Sequence, residues 1–149
     1  MRLVIQRVNS ASVSVSGKAV GNIEKGLFVL LGVCDGDTLE DTKILALKLS
    51  KLRVMADDAD KMNLSVGDVN ASVLVVSQFT LYADTSKGRR PSFVKAAGPD
   101  VARELYKMFI RELRDKGVDV QTCEFGAYMK ITAELDGPVT IIIDTKENA

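Results

Sequence analysis

The sequence predicts a single α+β domain, rich in strands, with two main helices grouped on one side of the sheet. Three observations carry that expectation. The 149 residues, 46% of them apolar, are enough to bury one core. Short period-two segments and two continuous apolar runs mark strands, while helical spacing occurs in only two stretches. Their order is not a regular alternation of strand and helix, which favours α+β over a doubly wound sheet.

Leu3, Ile5 and Val8, then Val13 and Val15, alternate with polar residues as half-buried strands do, and Gly17-Lys18 is the turn candidate after them. Gly26 to Val33 is an unbroken apolar run bounded by glycines, the pattern of a strand buried on both faces. Asp35-Gly36-Asp37 ends it. Asp37 or Thr38 caps a first helix, with Glu40 or Asp41 in its first turn, and Leu45, Leu49 and Leu52 carry it to about Arg53. After a charged loop over Asp57 to Lys61, Val73 to Val76 opens a second buried strand that runs straight into Ser77-Gln78-Phe79-Thr80-Leu81-Tyr82. Lys87-Gly88-Arg89-Arg90-Pro91 is a basic loop. Pro99 and Asp100 start a second helix with Val101, Leu105, Met108, Phe109 and Leu113 facing inward, and Gly117 stops it. Val118 to Glu124, Met129 to Leu135 and Val139 to Ile143 read as strands, with Asp136-Gly137-Pro138 as the turn between the last two. Residues 1–149 contain no repeat, low-complexity tract or linker, so they form one domain.

Composition narrows the chemistry. Lys plus Arg and Asp plus Glu both number 20, so no global field draws the chain to polyanions and any nucleic-acid contact rests on a local basic cluster. The N-terminal residues read as a strand rather than a signal peptide, and no run reaches membrane-spanning length, which points to the cytoplasm and away from membranes. Cys34 and Cys123, without CxxC spacing, are expected as reduced thiols. There is no histidine. That removes Ser-His-Asp and Cys-His nucleophile systems and argues against a catalytic zinc, so any hydrolysis here must run without imidazole, and no metal or cofactor is expected.

Three segments invite a functional reading beside a plainer one. Polar Ser77-Gln78-Phe79-Thr80 at the end of a buried strand could converge backbone N–H groups and side chains on an oxyanion; equally, Thr80 is a good strand residue and Ser77 ends a ladder. With no base at hand, the Thr80 hydroxyl suits orientation better than attack. Gly137-Pro138 is an ordinary turn or a rigid pair presenting carbonyls in a fixed direction. Lys87, Arg89 and Arg90 form a solvated loop or a phosphate grip, flanked by Tyr82 and Phe93 that pack or stack on a base.

At these segments the sequence resembles the D-aminoacyl-tRNA deacylase family over essentially its whole length. The resemblance is carried by Val4-Ile5-Gln6-Arg7-Val8, Lys61-Met62-Asn63-Leu64, Ser77 to Tyr82, Gly88 to Phe93, Phe125-Gly126-Ala127 with Met129, and Gly137-Pro138-Val139-Thr140, in that order. It implies a curved, barrel-like, mostly antiparallel sheet in a homodimer. It also implies metal-free hydrolysis of D-aminoacyl-tRNA, and of misattached glycyl-tRNA, to free amino acid and tRNA. By the same resemblance Ser77, Gln78, Phe79 and Thr80 line the aminoacyl pocket. Gly137 and Pro138 form a cis pair inserted into the partner subunit's pocket, where its carbonyls exclude an L side chain. Arg7 holds that segment, Met129 and Phe125 join the substrate site, and Lys87, Arg89 and Arg90 contact the tRNA. Leu135 stands where family members often carry Asn and Tyr128 where many carry Asp, so the hydrogen bonds supporting the Gly-Pro loop differ here. Water attack assisted by the terminal ribose 2′-hydroxyl and by N–H donors near Phe79 and Thr80 is the favoured step, with a Thr80 acyl-enzyme as the alternative.

Overall fold

The computed structural model describes residues 1–149. One six-stranded sheet holds β1 (Arg2–Val15), β2 (Lys18–Ile23), β3 (Gly26–Gly32), β6 (Ser72–Ser77), β7 (Asp119–Thr122) and β8 (Lys130–Asp144), while β4 (Met55–Ala56) and β5 (Met62–Leu64) pair separately. The sheet runs β2-β1-β3-β6-β7, and β8 lies along the other side of β1. Helices α1 (Leu39–Ser50) and α2 (Pro99–Asp115) pack together over one face. β2 and β7, at the ends of the path, approach each other: a Cβ on Gly21 would collide with the Thr122 carbonyl and meet Leu74 Cδ1 at 2.9 Å. The sheet is therefore curled into a nearly closed barrel.

It is also more mixed than its strands suggested. β1 pairs antiparallel with β2, β3 and β8, but β3–β6 and β6–β7 are parallel. Parallel neighbours need long crossovers, and α1 and α2 supply them between β3 and β6 and between β6 and β7. Gly26, at the start of the parallel β3–β6 pairing, lies so close to Ser72 that any Cβ would strike its carbonyl.

Two cores result. Leu27, Val29 and Leu31 of β3 and Val73 and Val75 of β6 face the helices, joining Leu45, Leu49, Leu105, Phe109 and Leu113. Phe28, Leu74 and Val76, on the opposite faces of the same strands, fill the barrel interior with Val8, Ala11, Val13 and Ile23. β1 serves both, with Leu3 and Ile5 in the helix-side core and Val8 to Val13 in the other, and its pairing with β8 slips on either side of Val8.

Local signals explain the boundaries. Ser16 and Gly17, at φ 49° and 81°, form the two-residue turn joining β1 to β2, one position earlier than Gly17-Lys18. Thr38 caps α1, where the Asp41 carboxylate accepts from its N–H and hydroxyl, both at 2.8 Å. α1 ends at Ser50 rather than Arg53, whose guanidinium bonds the Asn63 carbonyl instead. α2 closes with Gly117 at φ 80°, the Gly117 N–H on the Arg114 carbonyl and the Val118 N–H on that of Leu113.

The largest departure lies at the C-terminal end. Lys130 to Asp144 is one strand, not two joined by a turn. Both halves run antiparallel to β1, with Val8 opposite Leu135 and Gln6 opposite Thr140, so residues 136–139 bulge out of a continuing ladder. The Gly137–Pro138 bond in that bulge is cis.

Candidate active site

β6, between β3 and β7, delivers its polar C-terminal end to a pocket. Ser77 is the last residue of the parallel pairing, opposite Leu31, and the Gln78 N–H still bonds the Leu31 carbonyl at 2.8 Å. The chain then coils into a single 3-10 turn, Phe79–Tyr82, with Gln78 as an extended N-cap whose side chain does not cap it. The N–H groups of Phe79 and Thr80, first in that turn, therefore have no partner within it. The Gln78 side-chain amide instead donates to Thr80 Oγ1 at 2.5 Å. Phe79 is 56% exposed.

Ser77, Gln78 and Phe79 line a cavity of about 80 Å³ together with Leu31, Ala102 and Phe125. Phe79, Ala102 and Phe125 also wall an adjoining recess of about 320 Å³, so the pocket widens outward. Phe93 meets Phe79 edge-on, ring centroids 5.0 Å apart, on the outer rim. No lining side chain of the inner cavity carries a charge. Behind it, the Tyr106 hydroxyl donates to the Val75 carbonyl at 2.9 Å and accepts from the Cys123 N–H at 3.3 Å, and Cys123 Sγ lies 3.9 Å from Ser77 Oγ. Burial holds the Tyr106 phenol well above its ordinary range, so it is a neutral structural group. No three carboxylates or cysteines gather into a group able to hold a metal ion.

The other sequence candidates lie elsewhere. Arg7 extends from β1, donating to the Val54 carbonyl at 2.9 Å and placing Nε 2.8 Å from the Asp136 carboxylate, a charge contact without an aligned N–H. It thus ties the base of the bulge to the loop after α1. Gly137 and Pro138 are exposed and line neither the cavity nor the recess of their own subunit. Met129 packs against the barrel-interior core. Only Phe125 of this second group reaches the pocket. Lys87, Arg89 and Arg90 sit in an exposed loop closed by mutual backbone bonds of Asp84 and Ser92 at 2.8 and 2.9 Å. The Ser86 donors and Lys95 hold the Asp84 carboxyl at about 2, keeping this anchor ionised. Leu31 and Val33 were legible only as part of a buried apolar run, and Ala102 carried no signal, yet they form the pocket wall.

This arrangement can be set beside known proteins. The family model for D-Tyr-tRNA(Tyr) deacylase matches residues 4–144. The chain belongs to that family. It is 57% identical over 146 residues to the D-aminoacyl-tRNA deacylase of Bacillus licheniformis, covering 98% of this chain and 99% of the relative. It is 54% identical to that of Fervidobacterium nodosum, covering 99% of each. Among solved structures, the c-Myc DNA unwinding element binding protein superposes with TM-score 0.91 at 37% identity, over 97% of this chain and 99% of that one. Like its family, the chain is a hydrolase whose reaction is deacylation of D-aminoacyl-tRNA. None of its helices is long and apolar enough to cross a membrane.

Proposed function

We propose that the chain is a cytoplasmic homodimer that clears D-amino acids, and misattached glycine, from tRNA by ester hydrolysis, with the Gly137-Pro138 bulge of each subunit completing the other's pocket. The observation that carries this reading is the bulge: an exposed, propped projection that serves no pocket of its own subunit. Excluding an L side chain by a clash with backbone needs no contact to a particular D side chain, so one pocket accepts many D-aminoacyl groups. Glycine offers nothing to clash. In the same reading Arg7 fixes the bulge, Met129 and Phe125 complete the substrate site, and Lys87, Arg89 and Arg90 contact tRNA phosphates.

For the chemical step, the N–H groups of Phe79 and Thr80 are directed at the developing oxyanion, and Gln78 orients the Thr80 hydroxyl. Water adds to the ester carbonyl, assisted by the ribose 2′-hydroxyl, and the ribose oxygen leaves with a proton. Thr80→Ala then loses an orienting hydrogen bond and falls by no more than about tenfold in kcat. Complete loss of turnover with binding intact would instead identify an acyl-enzyme on Thr80.

The deciding experiment is release of amino acid from matched D- and L-tyrosyl-tRNA by the purified protein. Cleavage of the D-ester with the L-ester spared supports the proposal. The name of the c-Myc DNA unwinding element binding protein favours a second reading, a nucleic-acid binder without catalysis. Affinity falling steeply with salt, and no turnover of either ester, would establish that one.

A further inference from the structure

A groove of about 480 Å³ runs between α2 and β7, beside the pocket just described. Four of its lining residues are cations: Arg103, Lys107, Arg111 and Arg114, against the single carboxylate of Asp115. The whole chain balances 20 basic against 20 acidic residues, so this face departs sharply from the average. The four stand at i, i+4, i+8 and i+11 on one stripe of α2, which at about 1.5 Å per residue spans about 16 Å. Tyr106 and Ile110 provide an apolar floor.

These cations are available. Arg103 has no carboxylate partner and stacks over the Phe125 ring, its guanidinium carbon 5.3 Å from the centroid. Lys107 and Arg111 pair only with Glu104 and Asp115 of their own helix, at 2.9 and 3.8 Å, and both are more than half exposed. Such surface pairs are worth little and yield to a stronger anion. Arg114 spends one N–H on the Val120 carbonyl at 2.8 Å and keeps the rest of its fork.

Phe125 lines both the pocket and the groove. A chain leaving the pocket past Phe125 therefore enters a basic channel directly. We propose that this groove binds consecutive phosphates of the tRNA acceptor end, with Lys107 and Arg111 gripping the backbone and Arg103 guarding the junction at Phe125. The assignment rests on the deacylase reading for the direction of the chain, and it adds a main phosphate track distinct from the loop at Lys87 to Arg90.

The test compares wild type with Lys107→Gln/Arg111→Gln, both exposed positions, on D-tyrosyl-tRNA and on the phosphate-free D-tyrosyl ester of adenosine. The ratio of kcat/KM on the tRNA ester to that on the adenosine ester falls about tenfold in the double variant, and the log–log salt dependence of binding to uncharged tRNA flattens by about 1.5. A Lys48→Gln/Lys51→Gln control at the C-terminal end of α1 leaves that slope unaltered. An unchanged ratio and slope in the groove variant, or an equal flattening in the α1 control, would overturn the proposal. If wild type cleaves neither ester, the deacylase reading fails, and the salt slopes with uncharged tRNA still decide the groove.

Discussion

Gly137→Ala is expected to lower the preference for D- over L-tyrosyl-tRNA by about a hundredfold, the scale on which a misplacement of about 1 Å acts on an ordered site. Gly137 sits at φ +131°, and a Cβ there would meet the Val139 nitrogen at 2.8 Å and Val139 Cγ2 at 2.9 Å. The first of these is backbone and cannot swing away, so the bulge itself must reshape, at about 1–3 kcal/mol. The ladder to β1 continues on both sides and Arg7 still reaches Asp136, so the fold survives. The measurement is kcat/KM on the two matched esters beside a thermal melt. A preserved D/L ratio in a folded variant would overturn the proposal that the bulge filters chirality.

Phe109→Ala carries the largest expected loss of stability, about 3–5 kcal/mol. Phe109 is fully buried in the helix-side core, on the α2 face that meets α1 and the sheet. For a chain of this size the loss lowers the thermal midpoint by roughly 6–20 °C. Activity should suffer before unfolding, because α2 supplies Ala102 to the pocket wall and the Tyr106 hydroxyl that braces the Val75 carbonyl behind Ser77. A melt followed by circular dichroism, with kcat/KM taken well below the transition, checks both. A shift of only a degree or two would mean that α2 can repack around the missing ring.

What the sequence disclosed and what it concealed follow from the range of the forces involved. Three of the four helix limits were readable because they are set by neighbours: Thr38 with Asp41, Pro99 at the first turn, Gly117 at the left-handed stop; the end of α1 at Ser50 was not, because Leu52 and Arg53 continue the helical spacing past it. The buried runs Gly26 to Val33 and Val73 to Val76 were readable as strands, yet their unbroken apolarity also marks parallel pairing with both faces covered, and the two helices are the crossovers that make it so. Asp136-Gly137-Pro138 has turn chemistry, and only the long-range pairing of both flanks to β1 makes it a bulge. At the candidate site, the segment Ser77 to Thr80 stood out because polar residues end an apolar strand. Leu31, Val33 and Ala102 did not, since a pocket wall and a core wall have the same composition. The α2 cations were hidden by the even charge count, because a stripe becomes visible only once the helix has a face.

One strand ties these parts into a single mechanical unit. Because the first half of β1 belongs to the helix-side core and the second half to the barrel interior, neither core can open while the other keeps its wall. Amide protons at Ile5 and Val13 should then exchange through the same rare global opening rather than through separate local ones. The strand that ends at the pocket, β3, and the strand that carries the bulge, β8, both pair with β1, so β1 is the element that connects them.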